Sequence, residues 1–267
     1  GYYMNFVAPA IKAGDPFINI TRWKTASKLI LGGDGLPDVA YLINGHFYKS
    51  DRTRLSGQDL KQYLFADNDR VVFKLDSSLK GKGVFVLSSD AFAIDSIRKL
   101  GNGVFQDYIV QHEMFDEYMP SSVATLRMTT VLDSDGHSSL RGCNLRIGRS
   151  ADTHVVSENT IYVATDVDNG AFSENGHLSN WIPVDRHPDT GTPFSGRTIP
   201  FFDRCKSVVT TLHERTPWYR CVGWDVIIDK NNEIKLMEWN GRNGIRYPEA
   251  MQGPCFADLG WENLWRQ

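Results

Sequence analysis

A chain of 267 residues, 41% hydrophobic and 12% aromatic, is long enough for one large core or two closely related ones. Its net charge of −3 gives no general basic field, which argues against nucleic acid or an anionic membrane as partner. No apolar run approaches a membrane span and no signal peptide is visible, so a cytoplasmic location is expected; Gly1 in place of Met suggests a trimmed start with an upstream segment missing.

In chain order, residues 21–31 (TRWKTASKLIL) predict a helix, with Thr21 as cap and GGDGLP as stop. DVAYLINGHFYKS predicts a hairpin turning at Asn44-Gly45, and LSGQDLKQYLF a short helix capped by Ser56. VVFKLD and VFVLS predict strands joined by the pliable SSLKGKG loop, followed by a helix capped by Ser89 or Asp90 and running to Leu100. DYIVQHEM predicts a strand, and ATLRMTTVLD, SLRGCNLRIG and DTHVV predict successive antiparallel strands. Residues 165–198 are rich in Asp, Asn, Gly and Pro and predict a long loop region with few strands; residues 199–215 predict a helix opening with Pro200. The last hairpin is GWDVIIDKNNEIKLMEWNG, and the pattern as a whole is α+β with mostly antiparallel sheets. Cys143, Cys205, Cys221 and Cys255 form no CxxC pair and have no histidine at zinc-ligand spacing, so reduced thiols are expected.

Three segments carry candidate chemistry. In the last hairpin, a two-residue turn at Asn231-Asn232 would set Asp225 opposite Glu238, with Asn240 on the same face as Glu238. Cross-strand Cβ atoms lie about 5 Å apart, so two carboxylates and an amide oxygen converge. Either that end is solvated, or a divalent cation relieves the repulsion; an all-oxygen set suits Mg²⁺. Lys74 precedes a loop in which Ser77, Ser78, Gly81 and Gly83 let backbone N–H groups approach phosphates, although no Walker pattern is present. Some thirty residues on, a strand through Gln111, His112, Glu113 and Met114 offers backbone groups to an adenine, with Asp116 or Glu117 placed for ribose hydroxyls. An ordinary glycine-rich hairpin and a plain edge strand are the competing readings of these two segments.

Together, Lys74 with its Ser/Gly loop, the YIVQHE segment and Asp225…Glu238-x-Asn240 resemble the ATP-grasp superfamily, in that family's order. RWKTASKLILGGDGLP is similar to the helix before the nucleotide domain in D-alanine–D-alanine ligase-like members, whose lysine matches Lys24. SSVATLRMTTV, LRIGR, the VDNG loop, HPDTG and GWD…MEWN resemble the sugar-transfer-associated ATP-grasp group, which is related to α-L-glutamate ligases. The likeness runs over roughly residues 22–245.

That resemblance implies an ATP-grasp fold, two α+β subdomains clasping ATP. Residues 1–65 would form a short lead-in, 66–120 the nucleotide lid and 121–267 the metal and substrate part. Asp225, Glu238 and Asn240 would hold Mg²⁺, Lys24 and Lys74 would neutralise phosphate oxygens, and the Ser77–Gly83 loop would cover them. Gln111, His112, Glu113, Met114 and Glu117 would hold the nucleoside. Related ligases carry an arginine two residues before the metal aspartate, where this chain has Gly223. An anion-stabilising arginine must then come from Arg127 or Arg146, with Arg149, Asn169, Arg242 and Asn243 on the substrate side. The implied reaction joins a small-molecule or sugar-linked carboxylate to an amine through an acyl phosphate, in cell-surface polysaccharide synthesis. A kinase phosphorylating a hydroxyl and a non-catalytic nucleotide-binding protein are the rivals.

Overall fold

Asn44 and Gly45, both at positive φ (49° and 77°), form the tight turn their sequence predicts, and the first of two antiparallel sheets grows from that hairpin. The computed structural model describes residues 20–33, 35–76, 78, 83–120, 122–149, 159–241 and 243–261. Ser77, Gly81, Arg242 and the strand expected at 152–156 lie outside the described residues. The chain divides into two units, one of residues Ile20–Val110 and one containing Gln111–Gln267.

The Ile20–Val110 unit contains α1 (Lys24–Ile30), β1 (Asp38–Ile43), β2 (His46–Lys49), β3 (Arg54–Leu55), α2 (Leu60–Leu64), β4 (Arg70–Leu75), β5 (Val84–Ser88), α3 (Ile94–Leu100) and β6 (Gly103–Asp107). The strand order is β3-β2-β1-β6-β4-β5, antiparallel throughout. Alternation sends Ala40, Leu42, Phe47, Val71, Phe73 and Phe105 into a core closed by Leu60, Leu64 and Ile97. On the other face Asp38, Tyr41, Lys74 and Gln106 are buried polar groups, and α1 packs against β1 and β6. Asp38 accepts from Gln106 Nε2 at 2.7 Å and from the Tyr41 hydroxyl at 3.0 Å.

The second unit holds α4 (Glu113–Asp116), β7 (Thr125–Leu132), β8 (Ser138–Ile147), β9 (Ile161–Thr165), β10 (Phe172–His177), β11 (Pro183–Val184), α5 (Phe202–Arg215), β12 (Cys221–Ile228), β13 (Ile234–Asn240) and α6 (Arg246–Gln252). Its sheet runs β11-β10-β9-β8-β7-β12-β13, again antiparallel. The buried stripe Phe202, Cys205, Val209, Leu212 and His213 of α5 covers one face, against which Trp224 and Trp239 stack at 6.1 Å. The other face carries Asp225, Glu238 and Asn240. All four cysteines are free, and no helix among the described residues is long and apolar enough to cross a membrane.

Several expected boundaries move. The strand expected over residues 107–114 is β6, four residues earlier. Gln111 makes only an isolated bridge to Asp229, and His112 caps α4 by accepting from Met114 N–H at 3.1 Å. The pull comes from Gln111, whose buried amide bonds Asp116 Oδ1, the Met119 carbonyl and the Ala124 N–H, a set that an edge strand could not supply. Residues 20–22 form a 3₁₀ turn, so Trp23 rather than Thr21 precedes α1. The α3 helix starts after Ala93 without a side-chain cap, not at Ser89 or Asp90. Asp59 occupies the cap position of α2, while Ser56 Oγ accepts from its N–H at 3.1 Å.

Beneath α5 a chain of hydrogen bonds fixes the His213 tautomer. Trp224 Nε1–H donates to Thr130 Oγ1 at 2.8 Å, the Thr130 hydroxyl donates to His213 Nδ1 at 2.7 Å, and His213 Nε2–H donates to the Tyr219 carbonyl at 3.0 Å. Burial pushes His213 down to about 4, against the pull of the Tyr219 carbonyl and Glu214. An unfolded histidine protonates near pH 6.5, so between the two values the unfolded chain binds the extra proton and stability falls as pH falls. This contribution is expected to be on the order of 3 kcal/mol across that window. Urea unfolding at pH 7 and pH 4.5 should show a drop that is markedly shallower in His213→Gln.

Candidate active site

The acidic end of the last hairpin depends on one irregularity. Asp229 Oδ1 accepts from the N–H groups of Asn231 and Glu233 at 2.8 and 2.9 Å, and Asn232 takes φ 64°, so the turn is five residues and not the expected two. Its register pairs Ile228 with Ile234 and Val226 with Leu236, which would set Asp225 opposite Met237. A β-bulge at Met237 inserts one residue, and Asp225 pairs with Glu238 after all. Ile234, Leu236, Glu238 and Asn240 alternate in step, so in a regular strand all four would share one face. The bulge lets the first two stay buried while the carboxylate and amide turn to the open face.

From there a row of polar side chains crosses four strands: Glu238, Asp225, Arg127 and Asn144 are register partners in turn. Arg127 forks onto Asp225, Nε to Oδ1 at 2.6 Å and Nη2 to Oδ2 at 2.8 Å, with about 14% and 13% of the two side chains exposed. Burial works against the Arg127 charge, yet the Asp225 carboxylate and its hydrogen bonds outweigh it and hold the guanidinium above its usual value, with Glu238 adding to the effect. Arg146 Nη1 stands 3.7 Å from Asp225 Oδ1, and its guanidinium lies over the Tyr162 ring at 5.8 Å. Burial, then the neighbouring Arg127, lower Arg146 to about 10, which still leaves it charged at neutral pH.

Gly223 gains a positive role here. A Cβ at that position would collide with Asn243 Oδ1 and lie 3.1 Å from Arg127 Nη1, so the missing side chain makes the space that Arg127 and Asn243 fill. Asn243 accepts from Arg127 Nη1 at 3.1 Å and donates to Thr129 Oγ1 at 2.9 Å, clamping the guanidinium. Each Asp225 oxygen accepts an arginine N–H, and the carboxylate, with Glu238 and the Asn240 oxygen, forms an all-oxygen set of the kind that suits a hard divalent cation.

The remaining expected residues divide. Arg149 forms an ion pair with Asp189, and Asn169 Oδ1 closes its own turn by accepting from Ala171 N–H at 2.8 Å. Glu117 pairs with Arg197, Oε2 to Nη2 at 2.6 Å. In the Ile20–Val110 unit, Lys24 Nζ donates to Ser78 O at 3.4 Å and lies 3.5 Å from Ser78 Oγ, while Thr25 binds Asp76 at 2.8 Å through both N–H and hydroxyl. Gly83, at φ 102°, packs too close to Ser78 for any side chain. Lys74 is buried on the face of Asp38, whose carboxyl is raised by burial against the lowering effects of Gln106, Tyr41, Lys28 and Lys74. Asn144 escaped the sequence reading altogether; its one signal is an amide inside the otherwise apolar stretch GCNL.

The family model described as sugar-transfer associated ATP-grasp matches residues 93–258. Among solved structures, a biotin carboxylase from Campylobacter jejuni in a β-γ-ATP complex superposes with a TM-score of 0.56 at 13% identity, over 93% of this chain and 46% of that one. The biotin carboxylase domain of Hydrogenobacter thermophilus 2-oxoglutarate carboxylase, crystallised with MgADP and bicarbonate, gives 0.54 at 13% identity, over 91% of this chain and 45% of that one. The ATP-grasp ligase PsnB with its minimal precursor gives 0.52 at 11% identity, over 94% and 62%. The fold is thus ATP-grasp, and the chain spans between about half and two thirds of the length of these structures. No curated protein matches it.

The Arg127–Asp225 pair makes a stability prediction. Removing one member of a buried charge pair leaves the other uncompensated, at a cost of about 3 kcal/mol. Arg127→Met should lower the urea midpoint accordingly, and adding Asp225→Asn should recover part of the loss, because a neutral amide no longer needs the guanidinium. Equal stability of the single and double variants would contradict the pairing.

Proposed function

The chain belongs to the sugar-transfer-associated ATP-grasp family, and from that premise we propose that it is an ATP-dependent carboxylate–amine ligase acting in cell-surface polysaccharide synthesis or modification. The observation that carries this reading is the Glu238–Asp225–Arg127 row, which sets oxygen donors for a cation beside a clamped guanidinium on one open sheet face. In this proposal Asp225, Glu238 and Asn240 hold Mg²⁺, which supplies charge neutralisation at the phosphates of ATP.

Arg127 and Arg146 orient the anion that accepts the phosphoryl group and stabilise the charge that develops on it. Arg127 is suited to this because Asn243 and Asp225 fix its plane before any substrate arrives, so little reorganisation is left. The γ-phosphoryl group passes to a substrate carboxylate, an amine attacks the acyl phosphate, and phosphate leaves the tetrahedral intermediate. No side-chain nucleophile is required. In the first unit, Lys24, Lys74 and the segment from Ser77 to Gly83 are assigned to phosphate neutralisation and cover; both lysines are held in place by burial rather than left to solvent. Arg242, Arg149 and Asn169 are assigned to the acceptor side.

Release of ADP, screened over pairs of sugar acids, amino acids and amines, tests the reading. Amine-dependent release supports the ligase, and a stable phosphorylated product replaces it with a kinase. Glu238→Gln keeps the shape of the hairpin and removes a charged donor, so turnover should fall at least a hundredfold with the unfolding midpoint unchanged. Lys74→Ala should weaken MgADP binding by calorimetry about tenfold or more, the loss expected for one charge-assisted contact to phosphate.

A further inference from the structure

Beyond Asp225 the same sheet face continues past Arg146 into groups the reaction above leaves unused. The next register row runs Thr125, Arg146, Tyr162, His177 across β7 to β10. Tyr162 stacks on Tyr247 of α6 with centroids 4.9 Å apart, Tyr247 stacks on Trp181 at 5.3 Å, and Trp181 lies 5.8 Å from the His177 ring. Three rings thus form a stair leading away from Arg146, and the outermost, Trp181, is 40% exposed.

Two features mark this stair as built for a ligand. Trp181 sits at φ 70° at the tip of the β10–β11 hairpin, held by its N–H to the Leu178 carbonyl at 2.8 Å. Turns give that conformation to glycine or asparagine, so a tryptophan there is held under strain. On the same face lie buried polar atoms that lack a partner. Asn144, fully buried, has neither Oδ1 nor Nδ2 bonded, and Arg146 Nε and His177 Nδ1 are likewise unsatisfied. Of the seven such atoms among the described residues, these four lie on this one face. Native interiors satisfy their polar groups, so a cluster of exceptions points to a missing partner.

We infer that this face is the carboxylate substrate's subsite and that the substrate is a sugar acid. The inference rests on the ligase reading of the Asp225 row. Arg146 meets the carboxylate. Asn144 and His177 can each donate and accept, which suits hydroxyls that do the same. The exposed part of Trp181, backed by the stacked Tyr247 ring, offers apolar surface to the C–H face of a pyranose ring. An α-amino acid would need an acid for its ammonium group; the row Arg146, Tyr162, His177 contains none, and the neighbouring Asp225 carboxylate is already forked by Arg127.

Saturation-transfer NMR on the full chain, without nucleotide, tests this with D-glucuronic acid and D-galacturonic acid as probes. Transfer to the ring protons of at least one is expected in wild type and in Trp181→Phe, with a loss of tenfold or more in Trp181→Gly. Glycine relieves the positive φ but gives up the ring contacts to Tyr247 and His177, so Trp181→Gly should still unfold in one cooperative thermal transition, which separates a lost surface from a lost fold. Absence of transfer from both acids, or equal transfer to wild type and Trp181→Gly, overturns the proposal. So does L-glutamate giving transfer as strong as either sugar acid and indifferent to residue 181. MgADP affinity measured on the same samples reports on the nucleotide reading alone and should not change with residue 181.

Discussion

The β-bulge at Met237 is the constraint on which the site depends. Strand β13 has to send Ile234 and Leu236 under α5 and Glu238 and Asn240 to the opposite face, although all four have the same parity. Only an inserted residue satisfies both demands. The Asp229-centred turn fixes the first register, and the bulge then corrects it by one position just before the carboxylates meet. Trp239, pushed to the core side by the same step, stacks on Trp224 and anchors the bulge from behind.

Charge at the site follows from that geometry. Asp225 and Glu238 are register partners, and their repulsion is offset by two guanidinium groups that arrive from β7 and β8. Gly223 is what admits the first of them, Arg127. The neighbouring strand β7 supplies a guanidinium to Asp225, and Asn243 fills the space beside Gly223.

The two faces of the second sheet treat their buried polar groups differently. The hydrogen bonds under α5 satisfy Trp224, Thr130 and His213 completely. Across the sheet, Asn144 is buried and unbonded and Trp181 is held at positive φ. Four of the seven unsatisfied buried side-chain atoms among the described residues gather on this face, while the opposite face satisfies its Thr–His–Trp chain.

The sequence alone determined the family likeness, the two antiparallel sheets, the Asn44-Gly45 hairpin and the oxygen-rich end of the last hairpin. These are local properties: strand alternation, turn chemistry and residues close together in the chain. Tertiary structure decided the rest. The Gln111 bonds turned an expected strand into a bridge and a capped helix, and the pairing of Asp225 with Glu238 came through a bulge that sequence spacing had attributed to a two-residue turn. The row from Glu238 to Asn144 joins residues nearly a hundred positions apart, and the stair from Tyr162 to Trp181 passes through Tyr247 on a helix far along the chain. Such neighbours share no spacing in the sequence, because strand order and helix packing, not chain distance, bring them together.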